Sequence, residues 1–283
     1  MKTVVFGGSG QLGQCLAEQV QGNPNYVFLS SDEGNVTKAD QLRHLFEKLK
    51  PDVVVNCAAY TAVDKAEDEI DLAYAINSHA VKNLAILSKE YNSKLIHIST
   101  DFVFEGNKVG LLAEDDECKP QGVYGASKLE GEENIRAIHS KYFIVRTSWL
   151  YSEYGGNFVK TMLRLADSRN ELSVVSDQVG TPTYAMDLAA FILNLISSKS
   201  ETYGLYHYSD MGVASWYDFA HSIFDLGEKK INLSAIKTSQ YPTRARRPFN
   251  SVMDKSKVIA TFGEHIPHWR DSLRICLKNL VKK

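Results

Sequence analysis

The N-terminal segment narrows the fold more than any other stretch. Thr3-Val4-Val5-Phe6 is a short apolar run, Gly7-Gly8-Ser9-Gly10-Gln11-Leu12-Gly13 follows at once, and a helical pattern then runs through Val20. Strand, glycine turn and helix in that order predict the opening unit of a parallel α/β sheet. Glycines permit the tight turn and let backbone approach a diphosphate closely, while the helix start offers unpaired N–H groups and a positive dipole end. The glycines stand at 7, 10 and 13, a G-x-x-G-x-x-G spacing. A dinucleotide is the ligand such a unit suits.

The strand–helix alternation continues. Tyr26-Val27-Phe28-Leu29 is the second strand and ends in Ser30-Ser31-Asp32, where a ribose-reading residue should lie. Asp32 favours a free 2′-hydroxyl, Ser30 and Ser31 tolerate a 2′-phosphate, and no arginine stands there, so NADPH and NADH both stay open; a loop acid without a ligand is the competing reading. Asp40 to Leu49 reads as a helix, and Asp52 to Asn56 as a buried strand running into Cys57-Ala58-Ala59-Tyr60-Thr61. Small residues at that carboxyl end leave room for a cofactor. Val63 to Asp71 reads as a solvated charged segment and Leu72 to Tyr91 as a long helix, with Asn77 either a polar core residue or part of a proton relay. Lys94 to Ile98 is the fourth strand, in which His97 reads as a satisfied core histidine, and Tyr142 to Arg146 is the fifth. The expected fold class is α/β, a doubly wound parallel sheet.

Beyond Tyr151 the pattern loosens. Leu172 to Val175 and Gly204 to Tyr208 read as short strands, Thr183 and Ser215 as helix caps, and Trp269 to Leu280 as a terminal helix. The irregular stretch from Tyr241 to Pro248 carries Arg244, Arg246 and Arg247, whose guanidinium forks suit diphosphate oxygens; a solvated basic loop is the bland alternative. With 283 residues, a first domain over 1–150, completed by segments from the second half, and a smaller α/β lobe over 151–283 are expected. A net charge of −2 predicts no nucleic-acid or anionic-membrane partner. No apolar run reaches membrane-span length, the N-terminus is unlike a signal peptide, and the four scattered cysteines read as reduced thiols, so a cytoplasmic location is expected. Their spacing suggests no metal site.

Chemistry concentrates in Val123-Tyr124-Gly125-Ala126-Ser127-Lys128-Leu129-Glu130-Gly131-Glu132, which reads as helix from Ser127 onward with Gly125 allowing the entry bend. Tyr124 and Lys128 stand four apart and share a face if both are helical. An adjacent ammonium lowers a phenol's pKa from its usual ~10 and fits it for proton transfer to an oxygen. Thr100, leaving the fourth strand in Ser99-Thr100-Asp101-Phe102-Val103-Phe104, is a hydroxyl able to bond a substrate oxygen; as a plain turn residue it would cap that turn.

These motifs resemble the dTDP-4-dehydrorhamnose reductase family, within the extended short-chain dehydrogenase/reductases of Rossmann-like fold. The resemblance runs through Gly7–Gly13, Val55–Glu67, Ser99–Phe104, Tyr124–Glu132, Arg146–Tyr151, Asp177–Thr183, Ser215–Phe219 and Tyr241–Asn250. It implies that Tyr124 protonates the C4 oxygen of a keto sugar, that Lys128 holds the nicotinamide ribose and lowers the tyrosine's pKa, and that Thr100 bonds the same oxygen. It also implies that Gly7, Gly10, Gln11, Leu12, Gly13, Ala58, Ala59 and Tyr60 line the cofactor. Thr61, Val63, Phe102, Trp149 and the Arg244/Arg246/Arg247 loop would then face the nucleotide sugar.

Three departures from the family pattern stand out. Asn35 occupies the adenine end where an Asp is usual, and Phe102 stands where a tyrosine is common. Some members dimerise through magnesium held by acidic side chains, one of them early in the first helix; Gln14 and Cys15 occupy that region, so no metal and a monomer are expected, with a dimer the alternative. The competing functions are another extended short-chain nucleotide-sugar enzyme, such as an epimerase, and a non-catalytic regulatory subunit like the methionine adenosyltransferase beta subunit.

Overall fold

Four β-favouring residues make Thr3–Phe6 a strand (β1) with no exposed face. The computed structural model describes residues 1–198 and 200–281. After β1 come α1 (Gln11–Gln19), β2 (Tyr26–Leu29), α2 (Ala39–Leu49), β3 (Val53–Asn56), α3 (Val63–Ala66), α4 (Ile70–Tyr74), a π turn (Ala75–His79) and α5 (Ala80–Glu90). Then follow β4 (Lys94–Thr100), α6 (Val123–Ile138), β5 (Tyr142–Thr147), β6 (Leu150–Tyr151), α7 (Phe158–Ala166), β7 (Glu171–Val175), β8 (Val179–Gly180) and β9 (Thr183–Tyr184). The chain closes with α8 (Ala185–Ser197), β10 (Gly204–His207), β11 (Ala214–Ser215), α9 (Trp216–Leu226), β12 (Asn232–Ile236), α10 (Ser256–Phe262) and α11 (Trp269–Leu280).

The central sheet has six parallel strands in the order β10-β5-β4-β3-β1-β2. Its direction of growth reverses beside β1, and a crevice opens at the carboxyl ends of the strands at such a switch point. Alternation sorts each strand between two layers. Val5, Val53, Val55 and Ile96 pack towards α1 and α8, while Val4, Phe6, Val54 and Leu95 pack towards α2, α5 and α6. A separate core of Tyr151, Val159, Phe219, Trp269 and Leu273 joins α7, α9 and α11 beneath short two-stranded sheets.

Several local expectations change. Helix α6 begins at Val123, not Ser127, because the extended Gly122 is followed by Val123 N–H donating to Glu67 Oε1 at 2.9 Å. Tyr124 therefore sits in the first turn. Gly125 lies inside the helix, where a Cβ would meet the Phe102 carbonyl carbon at 2.9 Å; its role is close packing, not a bend. The 63–71 segment is not merely solvated, since it forms α3 with Ala66 fully buried and supplies Glu67. The long helix is interrupted by the π turn at Asn77. Thr183 belongs to β9, and Tyr184 stands at the start of α8 without a side-chain cap. Ser215 does cap α9, in a reciprocal pair with Asp218.

Candidate active site

A cleft of about 550 Å³ lies along the carboxyl ends of β1, β3, β4 and β5. Gly10, Gln11, Leu12 and Gly13 form one wall, Cys57, Ala59, Thr61 and Val63 a second, and Thr100, Phe102, Tyr124, Lys128 and Trp149 the far end. The glycine turn leaves no space for side chains: a Cβ on Gly13 would meet Gly8 Cα at 2.7 Å. Helix α1 starts at Gly10 with no side-chain cap and no acid in its first turn, so its terminal N–H groups and dipole face the cleft uncompensated. That cradle fits a dinucleotide diphosphate.

Tyr124 and Lys128, one turn apart on α6, both reach the cleft, and Thr100 comes to it from the end of β4. Thr100 Oγ1 donates to Asp101 Oδ1 at 3.0 Å and accepts from Phe102 N–H at 3.2 Å. The Phe102 ring meets the Tyr124 ring edge-on, with centroids 5.5 Å apart. Burial pushes the Tyr124 phenol up to about 12; a hydrogen bond with Thr100 works against this, and the Asp101 carboxylate adds to it. The expected sharpening of the phenol's acidity by Lys128 is therefore not what this arrangement produces. Lys128 Nζ instead donates to the Ile98 carbonyl at 2.6 Å and faces His97 Nε2 at 3.4 Å. Burial brings that amine down to about 8, with the Glu132 carboxylate acting the other way. A phenol this high stays protonated at neutral pH, the form a proton donor needs.

Other expected residues fall differently. Asp32 is exposed on the loop after β2 and outside the cleft lining. Asn35 lies outside it too, its Oδ1 accepting from Thr37 N–H at 3.0 Å and from the Thr37 hydroxyl at 2.7 Å. Gly7, Ala58 and Tyr60 are not among the residues that line the cleft. Tyr60 is turned away because its hydroxyl donates to Glu69 at 2.7 Å and its backbone pairs with Asn77. Asn77 is thereby a polar core residue, bonded also to Ser127 Oγ at 3.1 Å.

Trp149 lines the cleft and stacks on Trp216, ring centroids 3.6 Å apart and planes within 8°. On the Trp216 side lies a second hollow of about 410 Å³, bordered by Phe158, Gln178, Tyr241 and Arg247. The three arginines do not act as one cluster. Arg247 Nη2 pairs with Asp64 at 2.7 Å at the edge of that hollow, Arg244 pairs with Asp68, and Arg246 reaches Gln121 at 3.3 Å. Arg244 and Arg246 border neither space.

The sequence reading missed Asp101, Trp216 and the buried pair Glu132–Arg146. Glu132 Oε1 accepts from Ser99 Oγ at 2.5 Å and Arg146 Nε at 2.8 Å, and its Oε2 accepts from Arg146 Nη2 at 2.7 Å. The available signal was an acid eight residues beyond Tyr124, near the inward face of the same helix.

Comparison with known proteins points one way. The family profile described as RmlD substrate binding domain matches residues 1–282. A dTDP-4-dehydrorhamnose reductase of Aggregatibacter actinomycetemcomitans is 41% identical, over 96% of this chain and 97% of that protein. A crystal structure of a dTDP-4-dehydrorhamnose reductase from Clostridium acetobutylicum superposes with a TM-score of 0.96 at 40% identity, covering 99% of this chain and 100% of that one. The Bacillus anthracis dTDP-4-dehydrorhamnose reductase, solved in complex with NADP, gives 0.93 at 39% identity with coverage of 99% and 100%.

Proposed function

Because this chain belongs to the dTDP-4-dehydrorhamnose reductase family, we propose that it reduces the C4 ketone of dTDP-4-dehydro-L-rhamnose to dTDP-L-rhamnose, using NADPH, with NADH the alternative donor. The observation that carries this reading is the convergence of Thr100, Tyr124 and Lys128 on one cleft with the glycine cradle of α1. The bound dinucleotide supplies hydride. Gly10, Gln11, Leu12 and Gly13 hold its diphosphate end, and Lys128 holds the nicotinamide ribose. Asp32 and Asn35 flank its adenosine end from outside the cleft.

Tyr124 gives its proton to the C4 oxygen, and Thr100, its one hydroxyl proton turned from Asp101 to the substrate, donates a hydrogen bond to the same atom, so developing negative charge meets two donors. Thr61, Val63, Phe102 and Trp149 enclose the sugar. The nucleotide passes the Trp149–Trp216 stack into the second hollow, where the Arg247 fork meets the diphosphate. On this reading residues 1–150 carry the cofactor half and 151–283 most of the nucleotide-sugar half. No helix among the described residues is long and apolar enough to cross a membrane; the reading adds a cytoplasmic monomer that needs no metal.

The test is NADPH oxidation, followed at 340 nm, with the dTDP-4-keto sugar as substrate. Tyr124→Phe is expected to lose about 10²–10⁴-fold in turnover while binding NADPH as the parent does. Turnover unchanged in that variant would remove Tyr124 from the mechanism; product without net NADPH consumption would point to an epimerase.

A further inference from the structure

The underside of Lys128 is a polar arrangement that the proposed reaction does not use. Asn56 of β3 and His97 of β4 are registered neighbours on the sheet face covered by α6, and both are buried. Backbone Ala58 N–H donates to Asn56 Oδ1 at 3.2 Å. A backbone amide can only donate, so it fixes which end of the Asn56 side chain is the oxygen. The Asn56 Nδ2 amine then faces His97 Nδ1 at 3.0 Å, which makes Nδ1 the acceptor and leaves the ring proton on Nε2. Nε2 lies 3.4 Å from Lys128 Nζ. Two donors face each other if Lys128 is an ammonium. If it is a neutral amine, its lone pair accepts from Nε2–H while one N–H still reaches the Ile98 carbonyl at 2.6 Å.

We infer that Asn56 and His97 are positioning residues for Lys128: the Ala58–Asn56–His97 chain holds the imidazole in its Nε2–H tautomer, and this favours the uncharged lysine. The inference deepens the function proposed above and rests on it for its consequence, namely that Lys128, at the cofactor ribose, gives up its charge just above neutral pH instead of holding it far into the alkaline range. The ring cannot take a second proton to relieve the arrangement, because burial alone, before any charge on the lysine, holds its pKa well below the ordinary histidine value. The other groups facing Lys128 are Cys57 after β3 and, on its own helix, Tyr124 and Glu132. Burial pushes the Cys57 thiol up to about 12, so it brings no charge at neutral pH, and Glu132 is taken up by Arg146 of β5.

The experiment is nuclear magnetic resonance on the full chain without added cofactor, using ¹⁵N-histidine and ¹³Cε-lysine labels, with His97→Leu and Lys128→Arg assigning the signals. The wild type should show His97 protonated at Nε2. In Asn56→Asp, whose carboxylate only accepts, the ring proton should move to Nδ1. His97→Leu should raise the Lys128 titration midpoint by about one pH unit, a tenfold gain in proton affinity, and the alkaline limb of kcat/KM should move with it. Nδ1 protonation in the wild type overturns the inference. So does a Lys128 midpoint in folded His97→Leu that is unmoved or lower. The tautomer measurements need neither variant turnover nor substrate, so absence of dTDP-sugar reduction would overturn the proposed function and leave this result readable.

Discussion

Replacing Glu132 by Gln tests how the active helix is held. Glu132 and Arg146 are 0% and 1% exposed, and the carboxylate takes both Arg146 Nε and Nη2 together with the Ser99 hydroxyl. These contacts tie α6, which carries Tyr124 and Lys128, to β5 and to β4 just before Thr100. Gln keeps the shape but removes the charge, leaving a buried guanidinium whose Nη1 already has no hydrogen-bond partner and whose Cζ lies over the Phe104 ring, 4.9 Å from its centroid. Breaking one side of a buried pair costs about 3–5 kcal/mol. The retained amide oxygen places the isostere near the lower end, about 3 kcal/mol, a large fraction of the roughly 5–15 kcal/mol that holds a typical fold together. Urea unfolding followed by tryptophan fluorescence reads this directly, as a lower midpoint at unchanged slope. Removing both buried partners, as Glu132→Leu with Arg146→Met, leaves no buried orphaned charge. Arg136, which also reaches Glu132 Oε2 at 3.2 Å, is 40% exposed and turns to water, and only the Ser99 hydroxyl loses its acceptor, so the double variant should be more stable than Glu132→Gln. A Gln variant losing under about 1 kcal/mol, or a double variant less stable than the single one, would refute the claim that charge pairing holds this contact.

Three further outcomes are expected. His207 is fully buried, and burial, with Arg146's charge adding to it, brings its imidazole down to about 3. The unfolded chain therefore binds the extra proton between about pH 6.5 and 3; stability is full above that window and falls as pH drops through it, by roughly 4–5 kcal/mol at the acid end. His207→Phe should flatten that part of the stability–pH curve by one proton, and an unchanged slope would rule the residue out as its source. Gly13→Ala puts a methyl against Gly8 Cα and should weaken NADPH binding by about 10–100-fold, on the usual ~1–3 kcal/mol of overpacking, in a fluorescence titration; unchanged affinity would show that the turn can yield. Arg247→Ala should raise KM for the nucleotide sugar about tenfold or more with kcat little changed, as loss of uniform binding does, and Arg247→Lys should recover only part because the fork is gone. A fall in kcat alone would place Arg247 elsewhere in the mechanism.

Local pattern determined a good deal of this protein. Thr3–Phe6 and Val53–Asn56 are too short and too apolar for anything but buried strands once glycines and small residues follow them, and period and punctuation are properties of neighbouring residues. Tyr124 and Lys128 were legible for the same reason, since their four-residue spacing lies within one helix, and Thr100 because it closes a single strand. Tertiary structure alone decided what depends on residues distant in the chain. Glu67 starting α6 at Val123, Trp216 stacking on Trp149, and Arg146 engaging Glu132 are meetings that no local period encodes. The proton affinities are of the same kind. Four-residue spacing suggested that Lys128 would acidify Tyr124, but burial set the phenol high, and the strands beneath the helix gave the amine other partners. Desolvation is a property of everything packed around a group, so it enters only when the chain is folded.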